Sequence, residues 1–112
     1  VLGSYSVQIR TPETLVYSDP DGRFSVWQHQ IDVGGKWLTF VHSYVERWDK
    51  TTYRAMRTSF DTLRVQFPSV IACMPYEPST KFDKFITSYG FFRSGSAPCS
   101  DGTLRPLYFH YR

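Results

Sequence analysis

Residues 69–92 read SVIACMPYEPSTKFDKFITSYGFF, and this stretch decides the fold class. The apolar run at residues 70–74 is closed by Pro75 and is too short for a globular helix, so it reads as a strand. Because it lacks alternation, both of its faces are expected to be covered. Ser79 offers a hydroxyl to a free N–H of a first helical turn. Phe82, Phe85, Ile86 and Tyr89 follow at i, i+3, i+4 and i+7, forming one apolar stripe. Gly90 stands where a left-handed residue ends a helix, and Phe91 and Phe92 reopen an extended segment. The fold class is therefore mixed α/β.

Upstream, Tyr53, Met56, Phe60, Leu63 and Phe67 repeat at steps of three and four, which predicts a helix over residues 50–67. Asp49 or Thr51 caps it, and Pro68 ends it. Before this helix, Gly34-Gly35 is the strongest turn signal in the chain, since both central positions of a type I′ turn need positive φ. If Val33 faces Lys36, then Ile31 faces Leu38, His29 faces Phe40 and Trp27 faces His42. Both faces of this hairpin, residues 23–46, carry large apolar groups, so both are expected to be covered. Residues 4–10 alternate Tyr5, Val7 and Ile9 and read as a strand. Residues 11–22 hold Pro12, Pro20 and an Asp-Gly pair and read as loop, with one turn of helix at most. Downstream, strands near residues 90–94 and 104–112 are expected, joined by a long mobile loop around SGSAPCSDG.

The chain has 112 residues, enough for one domain with a core that needs no disulfide staples. Aromatic residues make up 18%, so the core is ring-rich. The net charge of +3 is spread along the chain rather than concentrated, which argues against nucleic acid as the main partner. A surface built on Arg105, His110 and Arg112 with Tyr108 or Tyr111 would require exposed rings for base stacking. Cys73 reads as a small core residue and Cys99 as a loop residue; their spacing is neither CxxC nor that of a zinc site. A reduced, cytoplasmic setting is favoured over a secreted one. No signal peptide or membrane-spanning run is read in the sequence.

The order hairpin, helix, strand, helix, strand pair resembles the GCN5-related N-acetyltransferase (GNAT) family over residues 23–112. The local match is Ser79 followed eleven residues later by Gly90-Phe91, with Phe82 and Phe85 between, where the family has an Asn at the same distance before a Gly-Phe pair. Size and aromatic content are similar to small divergent members encoded by tailed bacteriophages. The resemblance implies a GNAT-like mixed, mostly antiparallel sheet with two main helices, in a single domain over residues 1–112. It also implies acetyl-CoA as cofactor and a primary amine, of a protein or small molecule, as acceptor. For a phage-encoded chain the setting is the host cytoplasm or the virion.

Such a reaction needs the pyrophosphate held, the thioester oriented beside a sheet edge, and the amine deprotonated. The resemblance assigns Tyr44, Val45, Arg47, Lys50, Thr51, Thr52 and Ser79 to the cofactor. Residues 47–52 form the anion cradle at a helix N-terminus, where free N–H groups and the dipole favour anions. His29, His42 and Glu46 are the candidate bases, with His42 preferred. Tyr76 is the candidate acid for the leaving thiolate, because Ile86 stands where the family often has a tyrosine. His29 and His42 fall diagonally on one hairpin face; two histidines without a third ligand make a poor metal site. Two departures, Lys50 in place of a cradle glycine and Ile86, favour an alternative. In it the same scaffold has lost its chemistry and serves as a protein-binding or virion component, with phage or host proteins as partners.

Overall fold

The computed structural model of the chain describes residues 7–75, 79–99 and 102–112. The central feature is a long hairpin, β3 (Phe24–Val33) and β4 (Lys36–Val45), turned at Gly34-Gly35 with φ of 59° and 86°. Val33 faces Lys36, and alternation carries the register to Ile31–Leu38, His29–Phe40 and Trp27–His42, as the turn predicts. Helix α1 (Lys50–Leu63) then returns the chain so that β5 (Val70–Cys73) lies parallel to β4. Helix α2 (Thr80–Thr87) leads into the antiparallel pair β6 (Phe92–Pro98) and β7 (Leu104–Tyr111), with β7 inserted between β5 and β6.

The first two strands, β1 (Val7–Ile9) and β2 (Thr14–Ser18), both pair antiparallel with β3. They form one edge strand with a break around Pro12, which has no N–H for the ladder and is tolerated at such an edge. Residues 14–18 thus correct the expectation of loop or helical turn. Their sequence, TLVYS, is rich in β-branched and aromatic side chains, which suit a half-buried pleated surface. The following turn is fixed by Asp19, whose carboxylate accepts from Arg23 Nε at 2.7 Å, Arg23 Nη2 at 3.0 Å and the Arg23 backbone N–H at 3.0 Å. The Arg23 side chain hydrogen-bonded to Asp19 holds that carboxyl below its ordinary range. Of the strand expected at residues 4–10, residues 4–6 lie outside the described residues.

Two apolar clusters fill the two faces of the sheet. On one face, Phe24, Val26, Val41, Ile71, Cys73 and Tyr108 pack against Met56 and Leu63 of α1 and Ile86 of α2, with Tyr89 and Phe91 beside them. On the other, Ile31, Val33, Phe40, Ala72, Ala97 and Leu107 pack together with Leu38, Met74 and Phe109. Every member of the second cluster lies on a strand or next to one, so the curled sheet closes on its own apolar face. The hairpin is covered on both sides only over its middle, on this side by its neighbouring strands; Trp37 and Tyr44 stay exposed towards the ends of β4, against the expectation of full cover.

Two boundaries differ from the sequence reading. Helix α1 stops at Leu63 rather than at residue 67, and residues 64–67 continue as a turn in which the Gln66 and Phe67 N–H groups both donate to the Leu63 carbonyl. Phe67 is buried all the same, completing the stripe from a turn. Strand β6 runs on to Pro98, because Gly95, at φ 84°, forms the irregularity through which pairing with β7 resumes at Ser96–Pro106. Five residues expected in the long loop, 94–98, are therefore strand, and residues 100–101 lie outside the described residues.

Arg64 locks the end of α1 to the sheet. Its guanidinium donates to His110 Nδ1 at 2.8 Å and to the carbonyls of Pro68 and Ser69, each at 2.7 Å. Arg112 reaches the same turn from the end of β7, donating to the carbonyls of Val65 at 2.9 Å and Phe67 at 3.0 Å. Gly90 completes the junction: its φ is 92°, and a Cβ there would stand 3.2 Å from His110 Nε2.

Candidate functional site

The polar side chains that converge in this chain do so on the surface of β2, β3 and β4. His29 lies on the central strand β3 and His42 two positions beyond Phe40 on β4, diagonal to it. Extending the β2–β3 register by one residue places Glu13 opposite His29. Glu13 Oε1 reaches over β3 to within 2.8 Å of His42 Nε2. The Tyr44 hydroxyl donates to both Glu13 oxygens, at 3.1 and 3.0 Å. The rings are in mutual contact. His29 and His42 meet edge to face at 5.4 Å, Tyr44 meets His42 at 5.2 Å, and Phe40 stacks on His29 at 6.1 Å.

Burial dominates the electrostatics of this group. Desolvation pulls both imidazoles below their ordinary pKa; Glu13 opposes this at both, and at His29 the neighbouring His42 adds to it. Burial, then the hydrogen bond to Glu13, raises the Tyr44 phenol. The cluster therefore combines neutral imidazoles with a carboxylate oriented by a phenol, an arrangement able to accept a proton or to ligate a metal. The sequence reading had both histidines and Tyr44 but lacked Glu13. The available signal was the TLVYS run: once it is paired with β3, the residue before it falls opposite His29.

The segment expected to cradle a pyrophosphate is organised around its own carboxylate. Asp49 caps α1, accepting the Thr52 backbone N–H at 2.8 Å, and Arg47 Nε bonds its other oxygen at 2.9 Å. The Thr52 N–H is the first cause holding the Asp49 carboxyl below its ordinary range. One of the donors that would meet an anion, the Thr52 N–H, thus already has one. Thr52 is fully buried, Lys50 and Thr51 are exposed, and Trp48, Asp49, Lys50, Tyr53 and Arg54 line a shallow depression beside them. Asp49→Ala is expected to lower the Tm by a few degrees through loss of the cap, read by thermal denaturation; an unchanged Tm would show that the cap is dispensable.

The remaining expected site residues are dispersed. Val45 pairs with Phe24 and packs on the helix-side core, and Glu46 lies exposed beyond the end of β4. Ser79 caps α2 as expected, accepting the Phe82 N–H at 3.0 Å. It borders a second depression with Thr80, Asp83, Arg93, Pro106 and Tyr108. There the Tyr108 hydroxyl donates to Asp83 at 2.7 Å, and burial, followed by that bond, pushes its pKa up to about 12. Tyr76 lies outside the described residues. Tyr89 is a core ring against Phe60 and Phe85, its phenol pushed up to about 12 by burial, so it is a poor proton donor to a thiolate. Burial likewise raises the Cys73 thiol, so that cysteine is an inert core residue.

The surface weighed for nucleic acid is also structural in part. Tyr108 is buried, while His110 and Arg112 bond the α1 turn. No helix among the described residues is long and apolar enough to cross a membrane. Comparison with protein-family models, with curated proteins and with solved structures finds no match to this chain.

Proposed function

We propose that this chain is a GNAT-like scaffold that acts by binding a protein partner and does not transfer acyl groups. The observation that carries this reading is the Asp49 carboxylate, which takes the α1 N-terminal donor of Thr52 and the guanidinium of Arg47. A pyrophosphate approaching that helix end meets a fixed like charge, and the Thr52 N–H is already bonded to it. The GNAT-like part of the reading draws on the parallel β4–β5 junction and on β7 lying between β5 and β6. A protein partner fits the exposed rings of Phe92 and Tyr111, stacked at 5.3 Å, since aromatic side chains are enriched in interfaces.

A thermal-shift titration tests this directly. A ligand present at about 100 times its Kd stabilises the folded state by about 2.7 kcal/mol, an easily read rise in Tm. No rise is expected with acetyl-CoA at about 1 mM, and a rise of several degrees would overturn the reading.

Acyl transfer with His42 as the base is a second reading, and one observation favours it. β4 and β5 pair at only two positions, Thr39–Ile71 and Phe40–Ala72, and β4 then runs on to Val45 without that partner. His42 stands on this free continuation with Glu13 beside it. Under this reading acetyl-CoA raises the Tm, and His42→Gln abolishes acetyl transfer to an amine without abolishing that rise.

A further inference from the structure

We propose that Glu13, His29 and His42 form a binding site for a divalent transition-metal ion, with zinc as its occupant. The site is independent of the protein-binding reading above, because it does not use the α1 N-terminus; it shares His42 and Glu13 with the acyl-transfer reading, in which His42 is a base and not a ligand.

Two adjacent strands and the residue leading into a third deliver the donors: His29 on β3, His42 on β4 and Glu13 just before β2. One ring nitrogen of each histidine and one carboxylate oxygen of Glu13 all lie within 4.8 Å of one another. Ligands at zinc bond lengths of about 2.0–2.2 Å in a tetrahedral arrangement stand about 3.3 Å apart. The closest pair here, Glu13 Oε1 and His42 Nε2, is at 2.8 Å, and small rotations of all three side chains bring donors within 4.8 Å of one another to that spacing.

The polar atoms themselves call for a partner. His29 Nδ1 and His42 Nε2 are shielded from solvent and make no hydrogen bond among the described residues. Glu13 Oε1, 2.8 Å from His42 Nε2, is the charged neighbour of that nitrogen. Buried ring nitrogens left in this way are costly unless something else binds them.

The surroundings are those of a supported metal centre. The Tyr44 hydroxyl holds the Glu13 carboxylate, as outer-shell groups do for ligating carboxylates, and Phe40 and Tyr44 pack against the two imidazoles. Two imidazoles and one carboxylate select a borderline transition metal over calcium or magnesium, which prefer oxygen donors. Glu13 is exposed, so a fourth coordination position opens to solvent, and three protein ligands plus water is a common zinc arrangement.

The test uses the whole chain, with Zn²⁺ in equilibrium dialysis and Co²⁺ as a spectroscopic probe. One ion per chain is expected. The Co²⁺ adduct should show visible d–d absorption without sulfur-to-cobalt charge transfer, which excludes Cys99 as a ligand. Zn²⁺ should shift the imidazole resonances of His29 and His42 and leave those of His110 in place. Glu13→Gln, at an exposed edge position, is expected to keep the fold and weaken Zn²⁺ binding at least 10-fold. Tyr44→Phe, which leaves all three ligands, should weaken it about 10–100-fold. If His29→Gln or His42→Gln fails to fold, the wild-type resonance shifts and Glu13→Gln still decide the matter. Absence of a one-to-one adduct, a sulfur charge-transfer band, or an affinity unchanged in Glu13→Gln would each overturn the proposal.

Discussion

Replacing Arg64 with methionine is expected to destabilise the protein by about 3–5 kcal/mol, the largest effect of any single substitution considered. Methionine approximates the volume of the stem but leaves the acceptors behind. The Pro68 carbonyl and His110 Nδ1 lose their guanidinium donor in a region where Arg64 itself is only 6% exposed. The Ser69 carbonyl is less affected, since the Arg112 backbone N–H also donates to it at 2.8 Å. The half-buried His110 ring and the Pro68 carbonyl of the adjoining turn are left without donors, at about 1–3 kcal/mol each, and the lost bonds were charge-assisted. For a domain of this size the Tm should fall on the order of 15–25 °C. Arg64→Lys should recover only part of the loss, because an ammonium cannot reproduce the planar fork that spans these acceptors. A loss below about 1 kcal/mol in urea denaturation would show that the junction is not the structural lock described here.

The same junction gives the stability a pH dependence of defined sign. Burial, and then the charge of Arg64, lowers the His110 pKa in the folded state below its ordinary 6.5, while a hydrogen bond to the Tyr89 backbone opposes the shift. Below 6.5 the unfolded chain binds a proton that the folded chain resists, so stability falls as pH drops from 6.5 toward the folded value. Above 6.5 this contribution is fully present. His29 and His42 shift in the same direction and add to the acid sensitivity. Denaturation midpoints should therefore hold steady above 6.5 and decline below it, and Arg64→Met should reduce the His110 share of that decline. Midpoints that rise on acidification through this range would contradict the assignment.

Leu107→Ala is expected to cost about 2–5 kcal/mol. Leu107 is fully buried in the cluster that the curled sheet closes on itself, among Ile31, Phe40, Ala72 and Ala97. The contacts of that cluster come from strands held by their own ladders, so the walls have little freedom to collapse into the space left behind. Cavity formation adds to the transfer term in such a site. Phe92→Ser on β6 provides the contrast. That ring is 44% exposed and stacks on the exposed Tyr111, and surface changes of this kind usually stay within about 0.5 kcal/mol. If chemical denaturation finds Leu107→Ala no worse than Phe92→Ser, the self-closed face is not a packed core.

Much of the local structure was legible in the sequence because its signals act over a few residues. Gly34-Gly35 needed positive φ at both positions, and that requirement fixed the register of ten facing pairs. Ser79 announced the N-cap of α2, and the stripe from Tyr53 to Phe67 identified the face that α1 buries. Residues 14–18 were misread because Pro12, Pro20 and Asp21-Gly22 are strong breakers, while the strand between them is short and depends on an edge of β3 to pair with. The candidate site was half legible for the same reason. Two histidines could be put on one face from the turn alone, but their third partner arrives from a separate strand.

The sequence by itself determined the hairpin register, the helix caps and the apolar stripes, because each follows from steric and hydrogen-bonding needs of neighbouring residues. Only the tertiary structure decided that Glu13 meets His42, that Asp49 and Arg47 bond each other at the start of α1, and that Arg64 joins a helix end to β7. Those arrangements depend on how distant strands dock and which long polar side chains then reach a buried acceptor. No short-range periodicity encodes either.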